Sequence, residues 1–113
     1  MARNSEQFEV LLTAGAERDL ESLYDYIAAH DSTARANHLL DRLMHVVDTR
    51  SRFPAHGAIP AELSELGIRE FRQLYFKPYR AIYRTMERRV VLYVIADGRR
   101  QMQSLLARRL LEH

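Results

Sequence analysis

The sequence predicts an α+β domain: an N-terminal strand and an antiparallel helical hairpin packed on an antiparallel sheet, in the order β-α-α-β-β-β, with a short C-terminal helix. Three observations predict it. Between Gly67 and Arg100 lie three short runs rich in Tyr, Phe, Ile and Val (Ile68 to Phe76, Tyr79 to Met86, Val90 to Ala96), separated by Lys77-Pro78 and Glu87-Arg88-Arg89, the layout of an antiparallel meander. Upstream, two segments place apolar residues at helical spacing. Finally, 113 residues with 47% apolar content suit one core and one domain, residues 1–113.

Taken in order, Phe8 to Thr13 carries β-formers and precedes a change of period, so it reads as a first strand. From about Ala16 the apolar positions are Leu20, Leu23, Tyr24, Ile27 and Ala28, an amphipathic helix whose first turns hold Glu17, Asp19 and Glu21, where the helix dipole favours acids. It ends near His30. Asp31-Ser32-Thr33 can cap a second helix with the stripe Ala36, Leu39, Leu40, Leu43, Val46 and Val47, which stops ahead of Phe53-Pro54. So short a connection makes the two helices an antiparallel pair. Pro54 to Gly67 reads as a loop in which Ala61-Glu62-Leu63 forms one helical turn. The last strand, Val90 to Ala96, is apolar on both parities, as in a central strand covered on both faces. After the turn signal Asp97-Gly98, Gln101 to Leu110 presents Met102, Leu105, Leu106 and Leu110 on one stripe.

Composition narrows the function classes. No apolar run reaches the ~20 residues of a membrane span, and MARNSEQFEV lacks the layout of a signal peptide, so the expected location is cytoplasmic. The absence of cysteine excludes disulfides, thiol catalysis and cysteine zinc sites. His38 and His45 are seven residues apart on one helical face without a third ligand, so no metal or other cofactor is expected. Leu111-Glu112-His113 reads as the start of a vector-encoded histidine tag. Charge is divided unevenly: residues 1–68 hold six arginines against eleven acids, a formal −5, and residues 69–113 hold eleven cations against four acids, +7. Sixteen of the seventeen basic residues are arginine, whose planar fork suits phosphate and carboxylate. An acidic partner is implied, whether nucleic acid or protein.

The basic charge belongs to the sheet. Arg69, Arg72, Arg80 and Arg84 alternate with apolar residues, which sets guanidinium groups on or near the face opposite a packed one. The competing reading is a solvated surface in which each arginine contributes little. Tyr75 and Tyr79 could stack on bases, although strand tyrosines are more often core with a wet hydroxyl, and Tyr83 and Tyr93 are assigned to the core.

Certain segments in this order and spacing resemble the RelE/ParE superfamily of toxins from type II toxin-antitoxin modules. They are Ala16-Glu17-Arg18-Asp19-Leu20 with Tyr24 and Ile27, Gly67-Ile68-Arg69, Tyr79-Arg80-Ala81-Ile82-Tyr83, and Val94 to Arg100 leading to Leu105-Leu106-Ala107-Arg108-Arg109-Leu110. The resemblance covers nearly the whole chain. It implies a cytoplasmic toxin that inhibits growth, neutralised by a cognate acidic antitoxin in a hetero-oligomer and serving plasmid stabilisation. The antitoxin's C-terminal helix and strand would fill a groove left by a sheet with helices on one side, with Leu20, Tyr24, Leu39 and Leu43 as the contact residues.

The superfamily divides by target. RelE-like members are ribosome-dependent mRNA endonucleases; ParE-like members inhibit DNA gyrase and stabilise its cleaved DNA complex. Cleavage through a 2′-hydroxyl needs a proton acceptor, cations for the phosphate and an acid for the leaving oxygen. By the family pattern Arg80 and Arg100 match the two phosphate-binding arginines. The second strand, however, offers Arg69 and Arg72 where lysines belong, the terminal tyrosine is replaced by an apolar residue around Leu105 or Leu106, and only Glu70 and Tyr75 remain as conceivable base or acid. With the amphipathic ending, this favours the ParE-like reading: a gyrase poison rather than an enzyme, its target-binding residues Arg69, Arg72, Arg80, Arg84, Arg99, Arg100, Arg108 and Arg109. The alternatives are a ribosome-dependent mRNA endonuclease using Arg80 and Arg100, and an inactive or regulatory member that only binds its antitoxin.

Overall fold

The computed structural model describes residues 9–52, 57–98 and 102–112. In chain order the elements are β1 (Glu9–Leu12), α1 (Ala14–His30), α2 (Thr33–Arg52), a single turn α3 (Ala61–Ser64), β2 (Phe71–Phe76), β3 (Tyr79–Met86), β4 (Arg89–Asp97) and α4 (Met102–Glu112). The order β-α-α-β-β-β with a short final helix is the one the sequence predicts.

Local chemistry sets the boundaries. The Thr13 hydroxyl accepts the Ala16 amide at 3.1 Å, so α1 starts two residues before its first predicted position and Thr13 is a cap rather than a strand residue. The Ser32 hydroxyl accepts the Arg35 amide at 3.0 Å and begins α2, as expected from Asp31-Ser32-Thr33. Gly67 has φ +81°, a left-handed turn suited to glycine. The chain then folds back so that the Ile68 amide donates to the Leu63 carbonyl at 2.9 Å, and the strand predicted from Ile68 therefore starts at Phe71. Phe53, Pro54 and His56 lie outside the described residues.

The sheet order is β1-β4-β3-β2. β2, β3 and β4 form the predicted antiparallel meander, but β1 pairs with β4 in parallel, Glu9 opposite Arg89 through Leu12 opposite Leu92. The sheet is mixed, which corrects the expectation of an antiparallel one. Parallel neighbours need a long connection, and the hairpin and meander between β1 and β4 supply it. A bulge between Ile82 and Tyr83 leaves Tyr93 as the extra residue on β4, because Ile82 opposes Val94 while Tyr83 opposes Leu92.

Two clusters sandwich the sheet. On one face, Leu39, Leu43 and Val47 of α2 and Ala16 of α1 pack on Leu74, Phe76, Ala81, Tyr83, Val90, Leu92 and Ile95. On the other, Leu63 of α3 and Met102, Leu105 and Leu106 of α4 pack on Phe71, Ile82, Val94 and Ala96. The second face is thus partly covered, correcting the expectation of helices on one side only. β4 is buried on both parities because both layers press on it. Tyr83 is fully buried; Tyr93 is half-buried and meets Phe71 edge to face at 5.2 Å.

β4 runs past the end of β1, so the polar groups along its outer side need other partners. Side chains supply them. The Asp19 carboxylate accepts the Ile95 amide at 3.0 Å, and Arg109 donates to the Tyr93 carbonyl at 3.2 Å.

Candidate functional site

Strand pairing fixes which arginines share a face. Opposite partners across β2 and β3 are Phe71 and Arg84, Gln73 and Ile82, Tyr75 and Arg80, so Arg80 and Arg84 lie on the α4 side of the sheet. Arg72, paired with Tyr83, lies on the hairpin side.

Arg80 is buried, 6% exposed, and its guanidinium is fully engaged. Nη1 and Nη2 donate to the two carboxylate oxygens of Glu62 at 3.0 and 3.1 Å, a bidentate fork. Nε donates to the Gln73 side-chain oxygen at 3.1 Å, and Nη2 reaches the same oxygen. The Tyr75 ring centroid lies 5.8 Å from the guanidinium carbon. Hydrogen bonding by Arg80 holds the Glu62 carboxyl below the usual carboxylate range, and the Glu62 carboxylate in turn raises Arg80 above its ordinary value. Gly98 lies close beside this pair: a Cβ there would stand 3.2 Å from the Pro78 carbonyl and 3.3 Å from the Arg80 Cγ, so a side chain would press on both. Asp97-Gly98, seen in sequence only as a turn signal, is also a point of close approach.

Arg109 is held in a second fork. Its Nη1 and Nη2 donate to Asp19 Oδ2 and Oδ1 at 2.8 and 2.9 Å, with the two side chains 16% and 17% exposed. The pair lies against Gly15, where a Cβ would stand 2.8 Å from Arg109 Nη1.

The remaining predicted residues are more open. Arg72 is half-buried and donates to the Gly57 carbonyl at 3.1 Å. Arg84 is half-buried over the Phe71 ring at 5.9 Å. Arg69 and Arg108 are exposed, and Arg99 and Arg100 lie outside the described residues. Tyr75 is 54% exposed. Glu70 is exposed, its carboxylate accepting the Arg69 amide at 3.1 Å. Among the described residues the arrangement offers guanidinium groups to an acidic surface, but Arg80 is not a free phosphate clamp: an anion approaching it must first displace Glu62.

Of the predicted antitoxin contacts, Leu39 and Leu43 pack in the core. Leu20 and Tyr24, with Glu21, Asp25 and Leu40, line a surface groove of about 340 Å³, where the Tyr24 hydroxyl donates to Asn37 at 2.8 Å. His38 and His45 are exposed, and the described residues contain no cluster able to hold a metal ion. No described helix is long and apolar enough to cross a membrane.

Residues 10–102 match the family model described as ParE toxin of type II toxin-antitoxin system, parDE. The chain belongs to the ParE toxin family. A solved chain described as "Chromosomal ParDE TA system from P. aeruginosa" matches this ParE-family fold with a TM-score of 0.67 at 19% identity, covering 81% of this chain and 97% of that one. At that identity the likeness is one of fold. No curated protein matches the chain.

Glu62, Gln73 and Asp19, which define how this ParE chain uses two of its arginines, were not among the predicted site residues. Glu62 is 18 positions from Arg80 and Asp19 is 90 from Arg109, so no local spacing rule links them. The one available signal was acids on helical turns in a chain rich in arginine.

Proposed function

We propose that this ParE-family chain acts as a toxin by binding and poisoning DNA gyrase, stabilising its cleaved DNA complex, and that a cognate antitoxin neutralises it in the cytoplasm. The observation that carries the non-enzymatic part is the closure of Arg80: its fork is taken by Glu62 and its Nε by Gln73. Phosphoryl chemistry needs preorganised cations open to the reacting phosphate, and among the described residues Arg80 does not offer one, because the nearest carboxylate, Glu62, occupies its fork. The target-binding residues are the more open Arg84 on the α4 side, Arg72 on the hairpin side, Arg69 and Arg108, with Arg99 and Arg100 kept from the sequence expectation. Arg80 and Arg109 serve them by holding the sheet, α3 and α4 in place.

The test uses antitoxin-free protein in two parallel reactions, gyrase with supercoiled plasmid and a translating extract with mapped mRNA 5′ ends. Accumulation of cleaved plasmid with intact mRNA is expected. Ribosome-dependent cuts with normal supercoiling would overturn the reading. Charge reversal at Arg84 and Arg108 is expected to reduce plasmid cleavage at unchanged thermal stability.

A further inference from the structure

Two arginine–aromatic pairs stand on the α4 side of β2 and β3, and they are inverted relative to each other. At one, the Phe71 ring is buried and Arg84 lies half open over it, its guanidinium carbon 5.9 Å from the ring centroid. At the other, Arg80 is buried and the Tyr75 ring is the exposed member. Phe71 opposes Arg84 and Tyr75 opposes Arg80, so the pairs lie four positions apart on both strands, ~13 Å by strand rise. The outer surface therefore presents a guanidinium and then an aromatic face. Between them Gln73, half-buried, gives its side-chain oxygen to Arg80, which leaves its amide NH2 as a donor.

The charge of the two arginines is spent differently. Arg80 is matched by Glu62, whose carboxylate takes both Nη groups, so the Tyr75 end carries no net charge and offers a ring held by the cation beneath it. Arg84 makes no hydrogen bond or ion pair with another described residue, so its end offers an unspent cation on the basic half of the chain. An acidic peptide would use the guanidinium and leave the ring idle. Tyr75 stands beside Arg80, Gln73 and, across the fork, Glu62, not in the apolar centre that a protein interface places around its aromatic anchors. A nucleic-acid strand uses both ends: its phosphates pair with arginine and its unpaired bases stack on an exposed aromatic.

We propose that this side of β2 and β3 binds a single nucleic-acid strand, with an unpaired base stacked on Tyr75 and a phosphate paired with Arg84. Gln73 donates to the backbone between them. Resting on the toxin reading, the strand is DNA at the break that gyrase makes, where pairing ends and a base is freed at low cost. Poisoning then includes a direct hold on the cleaved strand, and Arg84 meets DNA rather than gyrase protein.

The experiment titrates full-length, antitoxin-free toxin by fluorescence anisotropy against a labelled single-stranded DNA oligonucleotide, its duplex and an RNA of the same sequence, across a salt series. The variants are Tyr75→Leu, which keeps apolar area without a ring, Tyr75→Phe, Arg84→Gln and, as a control, Tyr26→Leu at an exposed tyrosine of α1. Each is checked for thermal stability and for plasmid cleavage with gyrase. Expected is tighter binding of single strand than of duplex, weakened about tenfold in Tyr75→Leu and within about twofold of wild type in Tyr75→Phe. Arg84→Gln should weaken binding and lower the salt slope by about 0.7, the value of one phosphate on a single strand, whereas Tyr75→Leu leaves the slope unchanged. Both should trap less cleaved plasmid, while Tyr26→Leu matches wild type in every assay. Oligonucleotide binding that is absent, prefers duplex, or is indifferent to Tyr75 and Arg84 overturns the proposal; plasmid cleavage that still falls in these variants then assigns the face to gyrase protein and preserves the toxin reading. Tighter binding of RNA than of DNA overturns the assignment to cleaved DNA. Wild-type protein that binds the DNA strand through Tyr75 and Arg84 yet traps no cleaved plasmid overturns the toxin reading and leaves the site standing.

Discussion

The two faces of the sheet are built differently. On the hairpin face α1 and α2 cover the strands with long apolar stripes, and Leu43, Tyr83 and Leu92 are nearly inaccessible. On the α4 face the cover is one turn of α3 and an eleven-residue helix, and two ionic forks join these short pieces to the rest: Glu62 to Arg80, and Arg109 to Asp19. Where a helix is long enough, burial of apolar area suffices. Where it is short, position depends on directional bonds.

Substitutions can break that contrast. The largest effect is expected on the hairpin face: Leu43→Ala should cost about 3 kcal/mol of global stability in denaturant titration, by transfer and cavity terms. Next comes Asp19→Ala, which removes the partner of Arg109 and the acceptor of the Ile95 amide. A fully buried pair would cost more, but both side chains retain some water contact, so about 2–3 kcal/mol is expected. Its signature should be local: amide exchange in 102–112 rising more than in α2. If Asp19→Ala and Leu43→Ala raise exchange equally everywhere, the two faces are not distinct.

Glu62→Gln sharpens the comparison through pH. It should cost about 1–2 kcal/mol near neutral pH, leaving a buried cation with a neutral partner. Because its folded pKa is depressed, the Glu62 contribution is fully present above the ordinary carboxylate pKa of about 4.3 and is lost as pH falls below it through the folded value. Wild type should therefore show a steeper acid loss of stability than Glu62→Gln, measured by denaturation midpoints across that window. The smallest effect tests neither face. Glu87 has φ +56° in the β3–β4 turn, a left-handed conformation costly for a side-chain residue, so Glu87→Gly should stabilise by about 0.5–1 kcal/mol without altering local exchange on one face relative to the other.

Much of the fold was legible in the sequence because its elements are set by local pattern: the 3.6-residue stripes of α1 and α2, the Ser32 cap, the meander with its two turns. Two features were not. The direction of β1 cannot be read from four residues, since pairing sense depends on where the chain returns. The fate of each strand arginine was also hidden. Alternation places Arg80 and Arg84 on one face, but whether that face meets water or α3 and α4 depends on contacts across 18 and more positions. One guanidinium became a buried strut and the other stayed half open, although each directly follows a tyrosine on the same strand.

The outer side of β4 beyond β1 has a consequence for assembly. An uncovered strand edge invites addition of another strand, from a partner or from a second copy. Here that margin is closed by Asp19 on the Ile95 amide and by Arg109 on the Tyr93 carbonyl, and a newcomer must break an ion pair to use it. The β2 border is closed in part as well, by the Gln73 amide donating to the Ala58 carbonyl at 2.8 Å, so both margins act as built-in guards against the open-ended stacking that an isolated, partner-free sheet risks.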